Sequence, residues 1–344
     1  MRRALVVCPG RGSYDRAALG WLKGHPGAAA IVPACDAWRA AQGRVPVSDL
    51  DNADAYQAKS HVAGENASLL TFACTMADFA AIDRSRYEIV GVAGNSMGWY
   101  TALAAAGALS LSDAIRLVDT MGSYQEGHVI GGQLLYPLSD ATGALDPALK
   151  DAVTAALRAA NAVGYAGVSI DLGNTLVLAG DEAGLKALTE ALPKLERGAR
   201  TFPVRLPLHS AFHTPLLAET AARAQADLAD LDFRAPDVTL VDGRGRAFRP
   251  RWADPAGLAA YTLGAQVTET YGFARSIQVA LHHTGPDVVI ALGPGNPLGG
   301  PLAWQLVHEG WNGVRDRAAF ATRQAGEAPL LLSTGVPEQR ARLW

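Results

Sequence analysis

The sequence predicts an α/β fold, with a hydrolase-like, mainly parallel sheet core and an inserted small ferredoxin-like subdomain. Strand-like apolar runs alternate with helical runs along most of the chain, and the clearest strands are Ala4–Cys8, Ile89–Ala93 and Val288–Leu292. Between about residues 131 and 200 the order becomes strand, helix, strand, strand, helix, which is typical of a ferredoxin-like unit. We therefore expect a large core of residues 1–130 and 201–344, with residues 131–200 forming the small subdomain.

Two helices of the core have recognisable start signals. Asn66 is expected to cap a helix that runs to about Ala80, and Ser110 or Ser112 is expected to start another. The second helix carries an apolar stripe formed by Ala114, Ile115, Leu117 and Val118.

Composition narrows the class of protein. A chain of 344 residues with 49% hydrophobic residues can bury a large core, and its net charge of −3 gives no basic field for nucleic acid. Its three cysteines are too few and too scattered for a disulfide framework or a zinc cluster. No apolar segment is long enough to span a bilayer. We expect a cytoplasmic monomer with neither metal nor cofactor and no membrane partner.

The segment Gly94-Asn95-Ser96-Met97-Gly98 lies between a strand-like run and an alanine-rich helical run. A Gly-X-Ser-X-Gly turn from strand to helix bends the backbone sharply and leaves the serine hydroxyl exposed above the sheet edge. The N–H groups at the helix start point toward that hydroxyl. Ser96 is therefore the candidate nucleophile.

A serine hydroxyl needs a base at neutral pH. Among the eight histidines, His213 is the strongest candidate because of the segment around it, Leu208 to Leu216.

Together these segments resemble the malonyl-CoA:acyl carrier protein transacylase family, which includes the acyltransferase domains of polyketide synthases. The family motifs are Phe-Pro-Gly-Gln-Gly-Ser-Gln, Gly-His-Ser-Leu-Gly, His-Ala-Phe-His and Val-Gly-Pro-Gly. Their counterparts here, in the same order, are Cys8–Tyr14, Gly94–Gly98, Ser210–His213 and Leu292–Gly295. The resemblance covers nearly the whole chain and implies the same inserted subdomain.

The resemblance also implies roles for individual residues. Ser96 would be acylated by a thioester, and His213 would take its proton and then activate the acceptor. The backbone N–H groups of Met97 and Arg11 would form the oxyanion hole. The partner would be a phosphopantetheine thioester, on coenzyme A or on an acyl carrier protein.

One departure from the family concerns the acyl group. In malonyl-specific members an arginine on the helix after the nucleophile pairs with the free carboxylate, and Met121 stands in its place here. A buried carboxylate without that partner loses about 2 to 5 kcal/mol, so Met121 favours a neutral acyl group in an apolar pocket. The alternative is that Arg11 or Arg116 binds the carboxylate, and Arg11 is the better placed because Arg116 lies five residues before Met121.

Three further positions bear on the pocket and the base. Asn95 replaces the family histidine before the nucleophile but keeps a hydrogen-bonding side chain. Phe212 accompanies unbranched acyl units in polyketide acyltransferases, although it could also simply pack in the core. Glu269 aligns with an asparagine whose backbone orients the catalytic histidine, so Glu269 is the expected orienter of His213, through its carbonyl or its carboxylate.

Three functions remain open at this stage. The favoured one is transfer of a neutral, unbranched acyl group to a carrier protein in polyketide-type biosynthesis. Hydrolysis of acyl-carrier thioesters uses the same residues, and the least favoured function is carrier binding without catalysis. Because carrier proteins are acidic, two basic clusters are candidate docking surfaces, and their members are Arg244, Arg246, Arg249 and Arg251 in the core and Lys186, Lys194, Arg197 and Arg200 in the small subdomain.

Overall fold

The computed structural model describes residues 1–127, 129–140 and 142–344. The strands of the described chain are β1 (Arg2–Cys8), β2 (Tyr87–Gly94), β3 (Gly132–Pro137), β4 (Ala166–Asp171), β5 (Thr175–Gly180), β6 (Leu195–Arg197), β7 (Arg200–Phe202), β8 (Val204–Arg205), β9 (Thr239–Val241), β10 (Ala247–Phe248), β11 (Tyr271–Gly272), β12 (Val288–Ala291) and β13 (Leu331–Ser333).

The α-helices are α1 (Ala28–Ala41), α2 (Val47–Asp51), α3 (Ala58–His61), α4 (Gly64–Ala81), α5 (Gly98–Ala105), α6 (Leu111–Ser123), α7 (Pro147–Ala160), α8 (Glu182–Ala191), α9 (Ala218–Asp227), α10 (Pro255–Ala260), α11 (Gln266–Thr268), α12 (Phe273–Thr284), α13 (Gly299–His308), α14 (Arg317–Ala325) and α15 (Pro337–Arg340). A π-helical turn, Tyr261–Ala265, joins α10 to α11.

The chain divides into two compact units. The larger unit comprises residues 1–126, 230–259 and 275–344, and the smaller one comprises residues 127–229 and 260–274. The smaller unit therefore extends beyond the expected subdomain of residues 131–200. Its additions include α9 and β11, which sequence order alone assigned to the core.

The larger unit is built on a six-stranded sheet with the order β10-β9-β2-β1-β12-β13. Neighbouring strands are parallel except β10, which runs antiparallel to β9 at one edge. Ala4 to Cys8 of β1 are fully buried, as expected of a central strand covered on both faces. The three strands predicted most clearly from sequence coincide with β1, β2 and β12, although Leu292 falls just past the last.

Helix start signals were read correctly for one of two helices. Ser110 caps α6, because its hydroxyl accepts a hydrogen bond from the N–H of Asp113 at 3.1 Å. The Asn66 prediction was wrong, since α4 begins at Gly64 without a side-chain cap. The Asn66 side chain instead accepts a hydrogen bond from Arg39 and donates one to the carbonyl of Ser60.

The smaller unit has a five-stranded sheet with the order β11-β4-β5-β3-β8. Its last four strands pair antiparallel, and α7 and α8 occupy the crossover positions of a ferredoxin-like β-α-β-β-α-β unit. The fifth strand, β11, pairs parallel with β4 at Tyr271↔Ile170. Buried side chains from both helices and the sheet, such as Leu178 and Leu188, form the core of this unit.

In the described parts of the chain, no helix combines the length and the apolar character that a membrane crossing requires.

Candidate active site

The predicted nucleophile lies on a tight turn in the larger unit. Strand β2 ends at Gly94, α5 begins at Gly98, and Ser96 between them has a φ of +55°. A non-glycine residue in this left-handed region is uncommon and is found at strained functional turns. The N–H of Asn95 donates to the carbonyl of Cys8 at 3.0 Å, which ties the turn to the end of β1.

Both glycines of the motif are required by close backbone packing. A Cβ on Gly94 would lie 2.2 Å from the carbonyl of Gly98, and one on Gly98 would lie 2.3 Å from the carbonyl oxygen of Cys8. Any side chain at either position would push the turn away from the sheet. The glycines therefore hold Ser96 half-buried at the carboxyl edge of β2.

The two expected oxyanion donors lie in the same unit as Ser96. Among the described residues, the backbone N–H of Met97 donates to no acceptor. An N–H group of the oxyanion hole must be available in this way to bind a substrate oxygen. Arg11 follows Gly10, whose hypothetical Cβ would lie 2.7 Å from the carbonyl oxygen of Asn95 and 3.5 Å from the Cβ of Ser96. The loop that carries Arg11 thus packs directly against the nucleophile turn.

Two neutral groups accept hydrogen bonds from the guanidinium of Arg11. It donates to the side-chain oxygen of Gln125 and, at 3.2 Å, to the carbonyl of Val62. Burial lowers the pKa of Arg11 to about 10, and the nearby carboxylate of Glu65 opposes the shift. The side chain is therefore still cationic at neutral pH.

Met121 is half-buried on α6, one residue before a close helix contact. A Cβ on Gly64 would lie 2.9 Å from the carbonyl oxygen of Gly122 and 3.3 Å from Nη1 of Arg11. The Arg11 cation thus lies beside the stretch of α6 that carries Met121. Arg116 is engaged elsewhere, in a bidentate pair with the carboxylate of Asp230 at 2.7 Å for both hydrogen bonds.

Asn95 presents an unmet acceptor next to the nucleophile. Its side-chain oxygen is buried, and among the described residues no donor reaches it. Its side-chain nitrogen would lie 3.5 Å from a Cβ on Gly10. A buried acceptor left without a donor costs free energy, so this atom is suited to receive an N–H or O–H of a bound substrate.

The candidate base lies in the smaller unit. His213 is 4% exposed and also has a positive φ, of +58°. Its Nδ1 lies 2.6 Å from the carbonyl oxygen of Gln266, which can only accept, so Nδ1 carries the proton and Nε2 is left with a lone pair. Burial lowers the pKa of His213 to about 4, against the opposing effect of the Gln266 hydrogen bond. The imidazole is therefore neutral at physiological pH.

The expectation for Glu269 was wrong, because the carbonyl on His213 belongs to Gln266. Gln266 lies in α11, which ends at Thr268, so its carbonyl belongs to the last turn of the helix, where carbonyls accept from groups outside the helix. Glu269 is exposed, and its backbone N–H closes the helix by donating to Ala265. A backbone acceptor has no side-chain signature, which is why sequence reasoning missed Gln266.

Phe212 is half-buried beside the base. Its ring centroid lies 6.2 Å from that of His209 in an edge-to-face arrangement and 6.5 Å from that of His213. The ring centroid of Tyr271 lies 5.4 Å from that of His213. Tyr271 is a second residue that the sequence did not single out, since it reaches the base only because β11 joins the smaller sheet.

The structure places the predicted residues in two groups. Ser96, Met97, Asn95, Arg11 and Met121 lie in the larger unit. Phe212, His213 and Glu269 lie in the smaller one. That His213 acts as the general base for Ser96 stays a prediction. Among the described residues, no group of three or more histidine, cysteine or acidic side chains could hold a metal ion.

Solved structures of transacylases share this fold. An acyl-carrier-protein S-malonyltransferase from Burkholderia pseudomallei matches with a TM-score of 0.72 and 24% identity, over 93% of this chain and 98% of that one. A malonyl-CoA:acyl carrier protein transacylase from Xanthomonas oryzae pv. oryzae matches with a TM-score of 0.75 and 21% identity, over 98% and 96%. The chain has the fold of malonyl-CoA:acyl carrier protein transacylases, which confirms the predicted fold class.

Curated sequences agree with the resemblance that the four motifs indicated. The chain is 28% identical to the phenolphthiocerol synthesis polyketide synthase type I Pks15/1 of Mycobacterium marinum, over 68% of this chain and 10% of that protein. It is 27% identical to the malonyl CoA-acyl carrier protein transacylase of Bacillus subtilis, over 60% of this chain and 62% of that one. The matches therefore span less than two thirds of each of these relatives. No family model matches the chain.

Proposed function

We propose that this protein is an acyltransferase that moves an acyl group from a phosphopantetheine thioester to a carrier protein through an acyl-Ser96 intermediate. The observation that carries the proposal is the left-handed Ser96 at the end of a central parallel strand, followed by the N–H of Met97, which makes no hydrogen bond among the described residues. A neutral, oriented His213 supports it. The transacylase fold makes the same chemistry the natural reading.

The first half-reaction acylates the serine. Nε2 of His213 takes the proton of Ser96 Oγ as this oxygen attacks the thioester carbonyl. The N–H groups of Met97 and Arg11 hold the resulting oxyanion, and loss of one such donor costs about 3 kcal/mol of transition-state stabilisation. Collapse of the tetrahedral intermediate breaks the C–S bond, and His213 returns its proton to the departing thiolate.

The second half-reaction repeats these steps in reverse. His213 takes the proton of the incoming carrier thiol, the thiolate attacks the acyl-Ser96 ester, and Ser96 Oγ leaves with the proton from His213. The carbonyl of Gln266 keeps Nε2 available as acceptor in both halves by fixing the proton on Nδ1. Because this carbonyl is uncharged, it stabilises the imidazolium less than an aspartate would, in keeping with the lowered pKa of His213.

For the acyl group, we propose a neutral and unbranched chain. Met121 stands where a carboxylate-binding arginine would be expected, and a flexible thioether suits an apolar wall. Phe212 disfavours a branch near the reacting carbon because its bulky ring lies next to the base, 6.5 Å from the imidazole between ring centroids.

A second candidate substrate is a carboxyacyl group such as malonyl, with Arg11 as the partner of its carboxylate. The observation that favours it is the closeness of the Arg11 guanidinium to the Gly122 backbone, next to Met121. The Arg11 guanidinium donates to the neutral oxygens of Gln125 and Val62, and it could exchange one of them for a carboxylate, which forms a stronger hydrogen bond.

Intact-protein mass spectrometry tests these proposals. The protein is incubated with malonyl, acetyl and longer straight-chain acyl thioesters, with Ser96→Ala as the control, and holo carrier protein is then added. A neutral acyl adduct that needs Ser96 and moves to the carrier supports the first candidate. A malonyl adduct that is lost in Arg11→Gln but kept in Arg116→Gln supports the second. An adduct lost to water at the same rate with or without carrier contradicts transfer and indicates a thioester hydrolase.

A further inference from the structure

The hairpin of β9 and β10 carries four exposed arginines, and its register divides them between the two ends of the sheet. Strand β9 pairs parallel with β2, with Val241 opposite Ala93. The turn that follows Val241 therefore lies at the carboxyl end of the parallel strands, as does the turn that follows Gly94 and carries Ser96. We call this end of the sheet the nucleophile end. Arg244 and Arg246 belong to this turn.

The chain then runs back toward the opposite end of the sheet, where the parallel strands begin. Strand β10 is antiparallel to β9, with Ala247 opposite Val241 and Phe248 opposite Leu240. Arg249 and Arg251 follow β10 and therefore lie away from the nucleophile end. In agreement, Arg249 contacts Nδ1 of His283 at 3.2 Å, near the end of α12 that leads into the start of β12.

A fifth arginine also lies at the nucleophile end. Arg275 is exposed in the first turn of α12, and its Cγ would lie 2.9 Å from a Cβ on Gly245. We call Arg244, Arg246 and Arg275 the proximal arginines, and Arg249 and Arg251 the distal arginines.

The proximal arginines are held on a rigid support. The buried carboxylate of Asp242 accepts the N–H groups of Arg244 and Arg246 at 2.9 and 2.8 Å, which fixes the turn. The guanidinium of Arg246 lies over the ring of Phe248, 4.8 Å from its centroid. Phe248 in turn lies 6.3 Å, between ring centroids, from Trp99 on α5. The basic turn is thus packed against the helix that begins at the nucleophile.

We propose that the proximal arginines are the docking surface for the acidic face of the carrier protein that exchanges acyl groups with Ser96. The proposal rests on the proposed acyl transfer. A carrier delivers its thioester on a flexible arm, so it must dock at the nucleophile end of the sheet, where Ser96 lies. The chain as a whole has a net charge of −3, so local positive charge at the nucleophile end attracts an acidic partner and orients it. The distal arginines lie at the other end of the sheet.

Two double charge reversals provide a matched test. Arg246→Glu with Arg275→Glu alters the proximal group, and Arg249→Glu with Arg251→Glu alters the distal group by the same total charge. Arg244 is left in place because it pairs at 3.4 Å with the buried Asp242. The carrier is the best acceptor of the wild-type protein in a panel of holo carriers that includes AntF, the type II polyketide carrier solved with its malonyl-transacylase.

The expected result separates the carrier from the chemistry. In the proximal variant, kcat/KM for the carrier falls about tenfold at low salt, and the loss shrinks at high salt because screening weakens the wild-type attraction. The distal variant stays within about twofold of wild type. Acylation of Ser96 by an acyl-pantetheine thioester, which has no carrier, is unchanged in both variants.

Other outcomes overturn the assignment. Equal losses in the two variants would show a general charge effect, and a loss toward acyl-pantetheine would show damage to the site. A loss confined to acyl-CoA as donor would assign the arginines to the nucleotide phosphates. No loss in the proximal variant, with a loss on reversal of Lys194 and Arg197, would move docking to the smaller unit. Failure of the wild type to acylate any carrier in the panel would instead contradict the proposed function.

Discussion

Ser96 and His213 share a backbone conformation that side chains other than glycine rarely adopt, with φ of +55° and +58°. Such strain persists only where the surroundings impose it. For Ser96 these surroundings are the two glycines and the end of β1. For His213 they include Ala211, whose N–H donates to the carbonyl of Ile130 at 2.7 Å. The two residues with a proposed chemical role are thus held by backbone contacts.

The lowered pKa of His213 predicts an unusual pH dependence. Ser96 acylation requires the neutral imidazole, so the rate should be flat from pH 8 to about pH 5 and half-lost near the pKa of about 4, instead of near 6.5. The check is the rate of Ser96 acylation by an acyl-pantetheine thioester, measured by rapid-quench mass spectrometry. An inflection near pH 6.5 would show that the imidazole is hydrated when it acts.

The same pKa shift predicts acid sensitivity of the fold. His213 binds a proton below about pH 6.5 when unfolded but only near pH 4 when folded, so the free energy of unfolding should fall as the pH drops between these values. Urea unfolding at pH 7 and pH 5 measures this effect. His213→Gln should lose part of the difference between the two pH values.

Two glycine substitutions test the packing of the nucleophile turn. Gly98→Ala would bring a Cβ within 2.3 Å of the backbone of Cys8 and should destabilise the protein by about 1–3 kcal/mol. Gly300→Ala, in α13, meets nothing within 4 Å and should be neutral or stabilise by up to about 1 kcal/mol. Thermal unfolding of both variants decides the point, and equal melting temperatures would contradict the close contact.

Sequence reasoning at this scale found residues with motif signatures and missed those without. The Gly-X-Ser-X-Gly turn was recognisable because its glycines are obligatory. Gln266 was not, because it acts through a carbonyl that every residue carries, and Tyr271 was not, because strand pairing brings it to His213.

At the scale of elements, α6 is anchored through one buried carboxylate. Asp119, 2% exposed, accepts hydrogen bonds from Arg39 at 3.0 Å, from Trp38 at 2.9 Å and from Arg44 at 3.1 Å. Arg39 is itself 1% exposed. The helix that carries Met121 is therefore fixed to α1 by a charged network with little access to water.

Removal of Asp119 should be costly. Asp119→Ala leaves Arg39 buried without its counter-ion and should lower the free energy of unfolding by about 3–5 kcal/mol. Asp230→Ala removes an exposed carboxylate from a more exposed ion pair of α6, with Arg116, and should have little effect because water and salt screen that pair. Urea denaturation compares the two, and a similar small loss in both would mean that water reaches Arg39.

Element prediction from sequence succeeded where periodicity and length are local properties. Strands β1, β2 and β12 and the ferredoxin-like order between β3 and α8 could be identified in advance. The extent of the smaller unit could not, because β11 is added from a segment about a hundred residues after β4, and a two-residue strand leaves no pattern.

At the scale of the whole molecule, each unit has its own sheet and its own core. Leu178→Ala truncates a fully buried side chain in the core of the smaller unit and should cost about 2–5 kcal/mol. Hydrogen exchange should then accelerate in β3, β4 and β5, while β1, β2 and β12 keep their protection, if the units open separately. Uniform acceleration in both sheets would show instead that the chain unfolds as one cooperative unit.

The antiparallel strand β10 has a consequence for behaviour at high concentration. An exposed sheet edge offers unpaired backbone groups to other molecules and promotes aggregation. Here one edge of the six-stranded sheet is a two-residue strand flanked by Arg246 and Arg249, and the other edge is the three-residue β13. Short edges, one of them flanked by charge, leave little template for a further strand, so the sheet is protected against growth between molecules.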